Sequence, residues 1–488
     1  MSPAPMSEGR HYNECEAVMM NIQYEGTCQS RITFVYEDSD FPDIKQVFKG
    51  EFLSSFPQIC NAGLTVYIGL GKKEELTPRK LMDAVSKGVR EMKKYNQREA
   101  QVDLSPVMEK FGLQSVRCAV LGIKLGLYEY NPFRSNRREE TGLYVLKGVE
   151  KTEKAEQALK KATNLADSVL YARELVNMPG NLLTPELMAE NMAREAEKHG
   201  VQAEILDAKQ AEALGMGAFL AVGNSSGNPP KLIVLRYLAD PDSKQKTALV
   251  GKGVTVDTGG YCLKSSGSML GIKGDMAGGA AVAGAVFALA ANKVKTNVVA
   301  VIPACENRIS SRSFVPGDVI RSMSAKMIEI RNTDCEGRLI LSDAVTYAIR
   351  KEGATRVLDI ATLTGAVVGA LGFSTAGVLT NSDEWWDELS AAAKVSGEQY
   401  WRLPIFPEYE DLLKSTIADI KNLGEDYCGT ITAGLFIKAF AEGLPWIHID
   451  IAGTAWVDKP VFEHQAVGAT GAGVTTLYDM LEGAGRRS

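Results

Sequence analysis

From residue 218 onward the chain returns repeatedly to one unit: a short run of apolar, often β-branched residues, usually with a stretch of helix length after it. Runs at 218–223 (AFLAVG), 231–238 (KLIVLRYL), 247–257 (TALVGKGVTVD), 297–304 (NVVAVIPA), 356–363 (RVLDIATL) and 446–453 (WIHIDIAG) read as strands. Strands apolar on both faces must be covered on both faces. The recurrence therefore predicts an α/β sandwich around a largely buried, mixed central sheet.

Upstream the alternation is sparser. Strand-like runs occupy 31–38, 64–71 and 141–150, and a helix is expected over 77–95, where Thr77 and Pro78 make a good start. A helical stretch over 152–177 stops before MPGN, at Pro179 and Gly180. The expected layout is a smaller N-terminal α/β domain over 1–151, a linking helix over 152–177, and a larger α/β domain over 178–488.

Of the 488 residues, 45% are hydrophobic and 23% charged, an ordinary globular balance. A formal charge of -6 gives no electrostatic reason to expect nucleic-acid binding. The first twenty residues lack a basic start followed by an apolar run, so no secretory signal is expected. The most apolar stretch, GGAAVAGAVFALAANK at 278–293, is short for a bilayer and reads as a tightly packed core helix. A cytoplasmic location without membrane contact follows as the expectation. The eight cysteines form no C-x-x-C pair and are expected as buried thiols. The four histidines, His11, His199, His448 and His464, are too dispersed for a metal motif, so any metal would depend on carboxylates.

Two segments concentrate charge where chemistry is possible. In GKGVTVDTGGYCLKSSGSMLGIKGDMAGGAA (251–281), Lys252, Asp257, Lys264 and Asp275 lie among glycines and serines. Asp257 falls at the carboxyl end of a strand, where open α/β sheets place ligands. Asp257 could equally open a D-T-G-G turn, and Asp275 could cap the helix that follows it. In NTDCEGRLIL (332–341), Asp334, Glu336 and Arg338 alternate with Cys335 and Gly337. If extended, the segment turns the three charged residues to one side and Cys335 to the other, as a solvated strand edge also would. Together the four acids match two divalent cations in charge; without cations they would repel and take up protons. Oxygen ligands suit magnesium, manganese or zinc. Two such ions about 3.5–4 Å apart can activate a water and polarise a carbonyl. GNSSG (223–227) fits G-x-S-x-G around Ser225, but Asn228, Pro229 and Pro230 follow where a nucleophile elbow needs a helix. No phosphate-loop motif is present.

NTDCEGRL (332–339), VGKGVTVDTGGYCLK (250–264), ARELVNMPGNLLTP (172–185), ATLTGA (361–366) and DIAGTAW (450–456) resemble the leucyl (cytosol) aminopeptidase family from about residue 170 onward. The N-terminal part is similar in length and layout only. The resemblance implies a two-metal aminopeptidase, with zinc, manganese or magnesium, acting on short peptides with a hydrophobic first residue such as Leu or Met. It implies that Asp257 and Glu336 bridge both ions, that Lys252 and Asp275 complete one site, and that Asp334 completes the other. Lys264 would polarise the scissile carbonyl, and Arg338 would hold bicarbonate as general base. Ile272, Thr362, Leu363, Gly365 and Ala452 would surround the substrate's first residue. A homohexamer is implied. Cys335 stands where alanine is usual, and Ile272 where methionine is common. An amine ligand must shed its proton; moving Lys252 from about 10.4 to below 7 costs roughly 5 kcal/mol, against about 10–16 kcal/mol for binding a structural zinc. The alternatives are a two-metal amidohydrolase on another small amide, or a non-catalytic assembly or nucleic-acid binding role.

Overall fold

The computed structural model describes residues 20–39, 44, 46–60, 63–135 and 141–485. Their architecture is α/β, built on two main sheets. The first has six strands in the order 20–23, 142–147, 99–103, 31–36, 63–71, 55–60. It is parallel except for the edge pair 55–60 and 63–71. The expected helix beside it spans Pro78–Lys94, with Thr77 accepting a capping bond from the Lys80 amide.

The second sheet has nine strands and carries the site. Its path runs 399–402, 375–380, 446–450, 356–361, 247–251, 297–307, 231–238, 202–206, with 253–257 joined to 297–307 beside this path. The central pairs are parallel, while 375–380 with 446–450, and the two pairs at the far edge, are antiparallel. The mixed sandwich is therefore present.

Two strand expectations need correction. AFLAVG is a helix, Gly217–Gly223, with Ala218, Phe219 and Val222 buried on one face. The Phe219 amide donates to Asp343 Oδ2 at 2.9 Å, so a carboxylate takes a bond that a sheet partner would need. The 247–257 run is two strands, Thr247–Gly251 and Gly253–Asp257, broken at Lys252. The first lies between 297–307 and 356–361; the second pairs with 297–307 alone. The Lys252 backbone spans the break, donating to Ile360 O (3.1 Å) and accepting from the Gly279 amide (2.8 Å).

The alanine-rich segment forms the helix Ala277–Ala291, buried from Ala277 to Ala290. Among the described residues, Ser266–Ala291 is long and apolar enough to cross a membrane by composition, with 83% of its apolar window buried inside the fold. Small residues set how closely it meets the sheet. A Cβ added at Gly278 would lie 2.0 Å from Ile360 O, and one at Gly251 would lie 2.5 Å from Gly278 O.

The helix Glu153–Asn177, opened by Thr152, packs against both halves. Its Arg173 is fully buried, lies over the Tyr128 ring at 5.5 Å, and donates to backbone carbonyls: Leu125 O (3.3 Å), Thr470 O (2.8 Å) and His464 O (3.1 Å). Burial lowers its pKa to about 10. Arg117 adds a two-pronged bridge to Asp479 at 2.6 and 2.7 Å.

Gly278→Ala should destabilise the protein by about 2–3 kcal/mol, since the obstructing atoms are backbone and cannot rotate away. Gly369→Ala, in an exposed helical position with no atom within reach of its Cβ, should be neutral or stabilise by up to about 1 kcal/mol. Urea unfolding of the two variants checks the contrast.

Candidate metal centre

Asp257 ends the strand 253–257 at its carboxyl end, as expected. Its Oδ1 accepts from the Gly259 amide and from Asn307 Nδ2, both at 2.9 Å. The turn and site readings of D-T-G-G are thus compatible, because one oxygen serves the turn and the other faces the site. Gly259 (φ 85°) reverses the chain so closely that an added Cβ would lie 2.9 Å from Asp334 Oδ1.

Asp275 does not cap the following helix. Met276 occupies the capping position, with no side-chain bond. Asp275 Oδ1 instead accepts from Thr362 Oγ1 at 2.7 Å.

NTDCEGRL is not an extended strand, and alternation is not what gathers its charges. Asn332 Oδ1 accepts from the Asp334 amide at 2.7 Å, closing a local turn. Cys335, at φ −103° and ψ 35°, leads into the helix Glu336–Arg350. Glu336 and Arg338 project from the first helical turn, and Asp334 from the loop before it. The apolar residues after Arg338 follow helical spacing and are buried against the sheet. Cys335 is half-buried, and burial pushes its thiol upward.

The two charged segments meet. Carboxylate oxygens of Asp257, Asp334 and Glu336 lie within 4.8 Å of one another. Lys252 Nζ is 2.8 Å from Asp275 Oδ2 and 2.8 Å from Glu336 Oε1, and donates to Thr362 O at 3.1 Å. Lys264 Nζ is 2.7 Å from Asp257 Oδ2 and donates to Asp334 Oδ1. The four acids and two lysines predicted for the site share one space. In it, two ammonium groups stand where dications would balance four carboxylates.

Burial, with Asp257 nearby, pushes Glu336 up to about 8. Burial also raises Asp275 to about 6, against the pull of Lys252. Asp334 is raised by burial and by Asp257. Burial works against both lysine charges, but the carboxylates outweigh it and hold both ammoniums above their ordinary range. The four acids remain undercompensated. Asp275 Oδ2 and Glu336 Oε1 are buried against one shared cation, Lys252 Nζ at 2.8 Å from each, and Glu336 Oε2 is buried with no donor among the described residues. Buried hard oxygens that outnumber the cations around them are a fitting set for divalent cations.

Arg338 is buried; Nη1 donates to Asn422 O at 2.9 Å, while Nε is buried without an acceptor. Leu363 and Ala452 are gathered by one buried carboxylate, as their amides donate to Asp450 Oδ1 at 3.2 and 3.1 Å. Thr364 Oγ1 donates to Asp450 Oδ2 at 2.6 Å, and Gly365 begins the next helix, Gly365–Leu371. Ile272 lies on the 3-10 segment Ser266–Gly274, which leads into Asp275 and so to its Thr362 bond. Ser225 is buried, bonded to Glu306 O and the Arg308 amide, in keeping with a structural role.

Sequence reasoning missed Asn307, Thr333, Asn422 and Asp450. Asn307 had a detectable signal, since it ends the strand paired with that of Asp257. Thr333 lay inside a quoted motif; its Oγ1 donates to Gly259 O (2.6 Å) and accepts from the Cys262 amide (2.8 Å), tying the two segments together.

Comparison with known proteins places this geometry. Residues 170–478 match the model for the catalytic domain of the cytosol aminopeptidase family, and 52–137 match that family's N-terminal domain. The chain belongs to the cytosol aminopeptidase family. The second match extends the resemblance into the N-terminal part, where the sequence alone offered only length and layout. A probable cytosol aminopeptidase of Clostridium perfringens is 44% identical over 88% of this chain and 90% of its own length. One from Treponema denticola is 41% identical over 90% and 93%. Among solved structures, a mutant of tomato leucine aminopeptidase has a TM-score of 0.86 at 33% identity, over 96% of this chain and 97% of its own. The bottromycin maturation enzyme BotP in complex with Mn has a TM-score of 0.85 at 30% identity, over 96% and 100%. As a member of the family, the chain is a metal-dependent aminopeptidase, a peptide hydrolase.

Gly337 is the residue around which Lys252 fits, since an added Cβ would stand 2.6 Å from Lys252 Cε and 2.7 Å from Nζ. Gly337→Ala should shift that flexible side chain without unfolding the protein, because the helix itself gains up to about 1 kcal/mol. Peptide hydrolysis should fall at least about tenfold, the loss expected from 1.4 kcal/mol of misplacement. Turnover measured beside urea unfolding checks both halves.

Proposed function

We propose that this aminopeptidase removes the first residue, hydrophobic such as Leu or Met, from short peptides, and that two divalent ions work in the 257–336 cluster. The observation supporting this most is the meeting of Asp257, Asp334 and Glu336, with Asp275 beside them and only two ammonium groups against the four carboxylates. Asp257 and Glu336 would bridge the two ions. Lys252 and Asp275 would complete one site and Asp334 the other. Zinc or manganese fits, as does magnesium. BotP, solved with Mn, is a manganese-bound relative in structure. Such ions supply a polarised carbonyl and a more acidic water.

This chain's own groups do the rest. Lys264, paired here with Asp257 and Asp334, would keep its ammonium for negative charge developing on the scissile carbonyl oxygen once those carboxylates hold ions. Lys252 would hold an ion as the neutral amine, its proton passing to bulk water as the ion binds. Arg338, anchored through Nη1, has Nε to hold a bicarbonate ion, which would supply a general base. Asp450 would keep Leu363 and Ala452 in register along the peptide, with Thr362, Gly365 and Ile272 around its first side chain. We further propose domain limits at 1–151, 152–177 and 178–488, a homohexamer, and a cytoplasmic location.

Chelation should abolish peptide hydrolysis and zinc or manganese should restore it; full activity in metal-free protein would overturn the reading. Lys264→Ala should retain both ions yet lose about 3–4 kcal/mol of transition-state stabilisation, roughly a hundred- to a thousandfold in turnover. Arg338→Ala should lose less and stop responding to added bicarbonate. Asp257→Ala should lose metal as well as rate. Metal content measured beside turnover on aminoacyl-anilides separates these, and turnover of other amides without peptides would favour an amidohydrolase.

Light scattering should give about six times the 52.8 kDa chain mass. A stable, active monomer would contradict the hexamer.

A further inference from the structure

We propose that Asn422 is a positioning residue for the metal centre, fixing with one residue both the turn that carries Asp334 and the guanidinium of Arg338. The inference rests on the metal reading above. Asn422 is fully buried and follows the two-residue strand Ile420–Lys421, which pairs with Met327–Glu329. Its amide donates to Glu329 O at 3.0 Å, so its backbone is anchored independently of its side chain.

The side chain then clamps the turn. Asn422 Oδ1 accepts from the Arg331 amide at 2.7 Å and from the Asn332 amide at 3.3 Å. Nδ2 donates to Asn332 O at 2.7 Å. Asn332 passes the constraint on, since its Oδ1 accepts from the Asp334 amide. The backbone carbonyl of Asn422 receives Arg338 Nη1. Across the turn, Thr333 is tied to the Asp257 loop through Gly259 O and the Cys262 amide. The loop that carries Asp334 is therefore held from two sides. Thr333 sets its distance from Asp257, and Asn422 fixes its orientation relative to the helix of Glu336 and Arg338.

The two contacts of Asn422 are separable by mutation. Asn422→Ala removes the clamp on residues 331 and 332 but keeps the carbonyl that holds Arg338. The expected result is a cooperative thermal transition, with metal retention weakened about ten- to a hundredfold, as for other residues that orient metal ligands. Retention is read by dialysing the purified enzyme against graded chelator and measuring bound zinc and manganese. Turnover should fall with metal content and return largely on adding excess manganese, while KM for an aminoacyl-anilide stays within about twofold. Asn422→Asp keeps the size and the acceptor but sets a carboxylate oxygen against Asn332 O, and should show the same weakening. Should the alanine variant fail to fold, the aspartate variant decides alone. Wild-type metal retention in either folded variant, or a rise in KM with kcat unchanged, overturns the proposal. Wild-type protein that binds neither metal would instead overturn the metal reading itself.

Discussion

The mutual repulsion of four carboxylates in one buried space is the constraint on which the rest of this structure depends. Asp257, Asp275, Asp334 and Glu336 come from three separate stretches of chain, and burial makes each charge more costly. Two lysines offset half of the charge. The remainder appears as carboxyls pushed upward and as a buried Glu336 oxygen with no donor among the described residues. A fold that keeps such a cluster needs backbone that cannot drift, and much of the polar bonding nearby serves that end. Asn307 holds Asp257, Thr362 holds Asp275, and Asn332 holds the Asp334 turn.

The sheet supplies the rigid frame. The break at Lys252 lets two consecutive strands pair with the same neighbour, 297–307, so that the lysine and Asp257 bracket the second of them. The glycine contact between the 277–291 helix and the 247–251 and 356–361 strands brings that helix close enough for Asp275, just ahead of it, to reach Thr362 and Lys252. Packing between backbones thus determines where charges stand.

Much of this was legible in the residues. The mixed sandwich followed from apolar runs, and Asp257 was placed at a strand end by the glycines after it. The membership of Lys252, Lys264, Asp275, Asp334 and Glu336 in one site came from motif resemblance, because spacing cannot show that distant segments meet. The local form of NTDCEGRL was misread. Asp334, Glu336 and Arg338 alternate in a way that fits a strand, but the apolar residues after them have helical spacing, and the Asn332 turn decides the matter. AFLAVG was misread for a related reason: a short apolar run carries no period of its own, and a carboxylate far along the chain, Asp343, settled it. Asn422 acts on backbone amides and a carbonyl, and Asp450 on two amides and the Thr364 hydroxyl, partners that sequence spacing does not encode.

Arg173 has a consequence for how the molecule comes apart. Its guanidinium is surrounded by carbonyls from residues 125, 464 and 470, which belong to opposite ends of the chain, and no carboxylate is among its hydrogen-bond partners. Separating the N-terminal sheet from the rest would strip a buried cation of one acceptor and leave the long helix with an uncovered apolar face. Such a boundary resists excision. The two halves should melt in a single cooperative step, and the small sheet acts as a fixed buttress for the catalytic half, with little freedom to swing as a tethered module.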